Sequence, residues 1–126
     1  MPGTAGAVSP DKLGPLQRHF RVEVRNEGRA AILTLHGEFD LASVPEFERE
    51  LAGAAASELL VVDLKQLDFI DSTGLGALVK AHQQAQEAGR EFALVKGGGQ
   101  VERLLGLTGL TDQLQIAETQ EELLSR

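Results

Sequence analysis

The run Leu59-Leu60-Val61-Val62-Asp63-Leu64 constrains this chain more than any other segment. It is almost continuously apolar and flanked by polar residues, which suits a central strand covered on both faces. A sheet buried in that way needs helices packed against it, and helical periodicity follows. Leu75, Leu78, Val79, His82 and Ala85 recur at helical spacing, with Gly89 placed as a C-terminal cap. Phe92-Ala93-Leu94-Val95 reads as a second buried strand, and Val101, Leu104, Leu105 and Thr108 share one face of a further helix. Leu114-Gln115-Ile116 predicts a last short strand, and Thr119-Gln120-Glu121-Glu122 a capping box that opens a terminal helix.

The first half completes the pattern. Phe20, Val22 and Val24 alternate with Arg21, Glu23 and Arg25, as in a strand with one wet face. Turn residues Asn26-Glu27-Gly28-Arg29 lead to a partner strand, Ala31-Ile32-Leu33-Thr34-Leu35, ended by Gly37. Ser43-Val44-Pro45-Glu46 predicts a helix start with Ser43 as N-cap and Glu46 closing a capping box. Gln66–Ile70 is read as a connection. The resulting order, β-β-α-β-α-β-α-β-α, is an α/β fold with about four helices. Its sheet is mixed and mostly parallel, with an antiparallel first hairpin. Residues 1–19 hold three of the four prolines without sustained periodicity, which predicts a flexible tail and a folded domain over 20–126.

Composition narrows the function. The 126 residues include no cysteine, which excludes disulfides, thiolate nucleophiles and zinc fingers. A net charge of −7, with no Trp or Tyr, argues against nucleic acid as a partner. No apolar run approaches the ~18–20 residues of a membrane span. The start Met1-Pro2-Gly3-Thr4 lacks the basic and apolar regions of a secretory leader, which predicts a cytoplasmic protein.

Few residues are placed for catalysis. His19, His36 and His82 fall on unrelated elements, so neither a metal site nor a cofactor is expected. Asp71-Ser72-Thr73-Gly74 opens a helix, but Ile70 stands where a hydrolase nucleophile elbow needs glycine. His82, ten residues along the same helix, would lie roughly 15 Å from Ser72 at the rise of an α-helix. Gly97-Gly98-Gly99 before a helix matches neither a P-loop nor a dinucleotide fingerprint, because Glu102 occupies the third glycine position of the latter. In the Ser72 segment, Ser72 or Thr73 is read as the helix cap, and Gly74 and Gly76 as points of close packing against the sheet. A hydroxyl at a helix N-terminus is also a place where an added phosphate meets free N–H donors and a favourable dipole.

Gly37-Glu38-Phe39-Asp40, the strand through Asp63-Leu64, and Phe69-Ile70-Asp71-Ser72-Thr73-Gly74-Leu75-Gly76 together resemble the STAS domain. Within that family they resemble the bacterial anti-sigma factor antagonists. Ala88-Gly89-Arg90, Val101-Glu102-Arg103-Leu104-Leu105 and Thr108-Gly109-Leu110 extend the resemblance over about residues 20–124. The resemblance implies a STAS fold and a binding protein that is not an enzyme. Unphosphorylated, it would bind an anti-sigma factor and so release a sigma factor. That anti-sigma factor would also be a serine kinase, opposed by a PP2C-type phosphatase. By position, the resemblance implies Ser72 as phosphoacceptor, with Thr73 as the alternative. Asp40, Asp71, Ser72, Thr73, Gly74, Leu75 and Gly76 would form the partner surface of a monomer or weak dimer. The alternative within the same resemblance is a subunit of a signalling scaffold or of a lipid-transport ATPase. Gly97-Gly98-Gly99-Gln100 is richer in glycine than the resemblance leads one to expect.

Overall fold

The computed structural model describes residues 20–125; Arg126, and residues 1–19 with the tail predicted there, lie outside the described residues. The elements are β1 (Arg21–Glu27), β2 (Ala30–Phe39), α1 (Val44–Gly53), β3 (Leu59–Asp63), β4 (Leu67–Ile70), α2 (Ser72–Glu87), β5 (Glu91–Val95), α3 (Gly99–Leu107), β6 (Gln115–Ala117) and α4 (Gln120–Leu124). Two 3₁₀ turns, Leu41–Ser43 and Leu110–Asp112, join them.

The apolar run becomes β3, buried along its whole length between β2 and β5 and parallel to both. Strand order is β1-β2-β3-β5-β6, and β1–β2 is the antiparallel pair. Alternation along β3 divides the core. Leu60, Val62 and Leu64 face the larger cluster, which includes Phe47 of α1, Leu78 of α2 and Val101 of α3. Leu59 and Val61 face a smaller cluster closed by Leu123 of α4. Each such burial stabilises the fold by about 1.5–3 kcal/mol. The Thr119 capping box forms as the sequence predicts, with Thr119 N–H donating to Glu122 Oε1 at 3.0 Å and Glu122 N–H to Thr119 Oγ1 at 3.3 Å.

Four expectations are corrected. Gln66–Ile70 is not merely a connection, because Leu67–Ile70 is a strand paired in parallel with β2. The second strand does not stop at Gly37. It bulges there, with the register shifting between Gly37 and Glu38 and Gly37 at φ 90°, and continues to Phe39. One strand thus serves β3 with its first half and β4 with its last. Ser43 makes no side-chain cap, because the 3₁₀ turn already puts it in helical conformation (φ −90°, ψ −17°). An N-cap oxygen reaches its amide from an extended residue. The Ser43 hydroxyl instead lies 2.8 Å from Glu38 O and 3.1 Å from Asp40 Oδ1. Thr108 is exposed at the end of α3, its Oγ1 bonded to the carbonyls of Leu104 and Leu105.

Candidate functional site

The register of β2 against β4 builds the site. Phe39 pairs with Ile70, so Asp40 and Asp71 are the next residues out of two neighbouring parallel strands. Asp71 N–H donates to Phe39 O at 3.2 Å, extending the ladder by one bond. Asp71 is itself extended (φ −106°, ψ −177°), and its Oδ1 accepts from Gly74 N–H at 2.9 Å. The cap of α2 is therefore Asp71, not Ser72 or Thr73. The strand delivers Asp71 in the conformation that an N-cap requires, which leaves Ser72 and Thr73 inside the first turn and exposed.

Helical rotation then sorts the residues of the motif. Gly74 and Leu75 turn into the protein and are buried. A β-carbon on Gly74 would lie 2.4 Å from Phe39 O, so α2 can start here only against bare backbone. Gly76 is exposed, and a β-carbon there would meet nothing within 4 Å. Its expected packing against the sheet is absent, because position 76 points away from it. Ser72, Thr73 and Gly76 form the outward face of the first turns, beside the half-buried Asp40 and Asp71.

Three features of this corner escaped the sequence reading. Leu41 is 70% exposed next to Asp40, and Phe69 is 38% exposed on β4, which sets apolar area beside the acidic residues. Gln100 reaches across from α3 to bond both backbone groups of Ile70, with Nε2 donating to Ile70 O at 2.7 Å and Ile70 N–H donating to Oε1 at 3.0 Å. The only sequence signal for Gln100 was the run of three glycines before it.

The histidines are dispersed. His36 Nε2 lies 2.6 Å from Glu23 Oε1. That hydrogen bond first, and then electrostatic attraction from His36 and Arg21, hold the Glu23 carboxyl below the usual carboxylate range against the opposing cost of desolvation. His82 packs on Phe92 with ring centroids 5.5 Å apart, in the middle of α2. His19 lies outside the described residues. Among the described residues no cluster of His, Asp or Glu is placed to hold a metal ion, and no helix is long and apolar enough to cross a membrane.

Comparison with known proteins places this corner in context. The family model of the STAS domain matches residues 21–123. The anti-sigma-B factor antagonist of Listeria monocytogenes serovar 1/2a is 30% identical over 89 residues, covering 69% of this chain and 78% of that protein. Its counterpart in Staphylococcus aureus (strain NCTC 8325 / PS 47) is 26% identical over 105 residues, covering 82% of this chain and 97% of that one. Among solved structures, an anti-sigma factor antagonist from Mycobacterium paratuberculosis superposes with a TM-score of 0.76 at 23% identity, over 93% of this chain and 95% of that one. The Bacillus cell fate determinant SpoIIAA in its phosphorylated form superposes with a TM-score of 0.65 at 21% identity, over 86% and 98% of the two chains. These structural likenesses establish the fold.

Proposed function

The chain belongs to the STAS domain family, and from that membership we propose that it is an anti-sigma factor antagonist switched by phosphate on Ser72. Its partner on this reading is an anti-sigma factor with serine kinase activity. A PP2C-type phosphatase restores the binding form, and the exchange takes place in the cytoplasm. The chain performs no reaction of its own, and Ser72 is the kinase's substrate.

One observation carries the reading: Ser72 stands exposed at the start of a 16-residue helix whose cap is already made by Asp71. The hydroxyl is not needed to hold the corner together, so it is available for modification. A phosphate there adds about −1.5 to −2 charge to a chain already at −7. The helix N-terminus offsets part of that inside the domain, by about 0.3–1 kcal/mol. A partner surface shaped for a neutral hydroxyl has no such compensation. The switch on this reading is steric and electrostatic, acting on a corner that stays folded. Thr73, also exposed one residue on, is the alternative acceptor.

The test is to incubate the protein with candidate kinase-fold partners and ATP, then locate phosphate by mass spectrometry. Phosphate on Ser72, lost in Ser72→Ala, supports the reading. Phosphate on Thr73 alone moves the acceptor. Tight binding that survives stoichiometric phosphorylation of Ser72 removes the switch.

A further inference from the structure

We infer that Gln100 is a positioning residue that closes the open edge of β4 and thereby holds the corner that presents Ser72. The inference rests on the reading of Ser72 as phosphoacceptor and explains the glycine run that this reading leaves unused.

Beyond β4 no further strand follows among the described residues, yet Ile70 is fully buried. Its N–H and C=O face away from β2, because the ladder bond at this level runs from Asp71 N–H to Phe39 O. Buried backbone groups without partners cost free energy comparable to a lost hydrogen bond each. The Gln100 side-chain amide meets both, donating to Ile70 O and accepting from Ile70 N–H as a neighbouring strand would. Ile70 is joined directly to Asp71, the cap of α2, so the clamp acts two residues before Ser72.

The glycines bring that amide into place. A β-carbon on Gly97 would lie 2.8 Å from Leu64 O and 3.0 Å from Val101 Cγ1, so the loop passes flush against the end of β3. Gly99, at φ 53°, then turns the chain in a conformation that other residues rarely adopt. Gln100 follows at once, inside the first turn of α3. The Lys96 ammonium, 2.7 Å from Glu102 Oε2, ties that same turn back across the loop. Loosening the clamp leaves the acceptor segment competent only part of the time, which weakens apparent affinity in proportion.

The test is amide hydrogen exchange read by NMR on the full chain. Gln100→Met keeps the side-chain length and loses both polar ends, while Gln100→Glu keeps an acceptor and loses the donor. Exchange at Ile70 should rise about tenfold or more in Gln100→Met and by less in Gln100→Glu. The Asp71 and Ser72 amide signals should shift, while β3 and β5 keep their protection. With the kinase identified as above, Gln100→Met should raise KM for phosphorylation and leave kcat near the parent value. Parent-like exchange at Ile70 in Gln100→Met overturns the clamp, and raised exchange with an unchanged KM overturns the positioning role. A parent chain that accepts no phosphate, with Ile70 exchange raised in Gln100→Met, overturns the phosphoacceptor reading and leaves the clamp standing.

Discussion

The α-carbon of Gly74 rests against the carbonyl of Phe39 so closely that a β-carbon would come within 2.4 Å of that oxygen. Helix α2 therefore begins in backbone contact with the end of β2. Gly74→Ala should push the helix off the strand and cost about 1–3 kcal/mol, as overpacking does. Gly76, exposed two residues later, should behave in the opposite way. Gly76→Ala should gain up to about 1 kcal/mol from helix propensity. Urea denaturation of the two variants checks this, and equal shifts of the same sign would refute the contact.

Asp71 combines a cap with a charge, and two substitutions separate them. Asp71→Ala removes the acceptor for Gly74 N–H and should cost about 0.5–2 kcal/mol. Asp71→Asn keeps an N-cap oxygen and should melt near the parent while removing the charge beside Ser72. Thermal unfolding reads the first effect. Affinity for the proposed partner then reports the charge alone.

Ser72→Ala and Ser72→Asp should both unfold within about 0.5 kcal/mol of the parent, as surface substitutions do. The bonds of the corner run through Asp71, Gly74 and Gln100 instead. Binding should divide the pair. Ser72→Ala should bind constitutively, while a penalty of about 3 kcal/mol for the introduced charge would weaken Ser72→Asp roughly a hundredfold. Calorimetry against the kinase-fold partner measures it, and parent-like affinity for Ser72→Asp would count against an electrostatic switch.

Lys96 predicts a pH dependence at the other end of the glycine loop. Its hydrogen bond to Glu102, helped by the charges of Glu102 and Glu118, raises the ammonium pKa above its ordinary value. A raised pKa in the folded state contributes stability that is fully present below the unfolded lysine value of about 10.4. That contribution disappears as pH rises through the folded value. The stability gap between the parent and Lys96→Met should therefore be flat from neutral pH to about 10 and close above it. Added salt should narrow it throughout, since the pair is exposed. Urea midpoints across that range test the sign.

On composition, we propose that residues 1–19 stand outside a STAS domain spanning 20–126. Phe20 stacks on Phe39 with ring centroids 5.1 Å apart, so the boundary must fall before it. A chain shortened to begin at His19 should melt at the parent temperature. A fall of many degrees would place part of the removed segment in the folded unit.

Features encoded within a few neighbouring residues were legible in the sequence by itself. The β3 run needs only its own apolar continuity, the Thr119 box closes over four residues, and Asp71-Ser72-Thr73 marks its own helix start. The tertiary structure alone decided what depends on distant partners. Leu67–Ile70 has too few residues to carry a periodic signal and becomes a strand only because β2 bulges at Gly37 and runs on beside it. That pairing delivers Asp71 extended, which gives the cap to Asp71 and leaves Ser72 exposed. It also leaves the buried outer edge at Ile70 that Gln100 fills from thirty residues away. A hydrogen bond between distant segments leaves no local pattern, because its worth depends on which backbone groups the register strands without water.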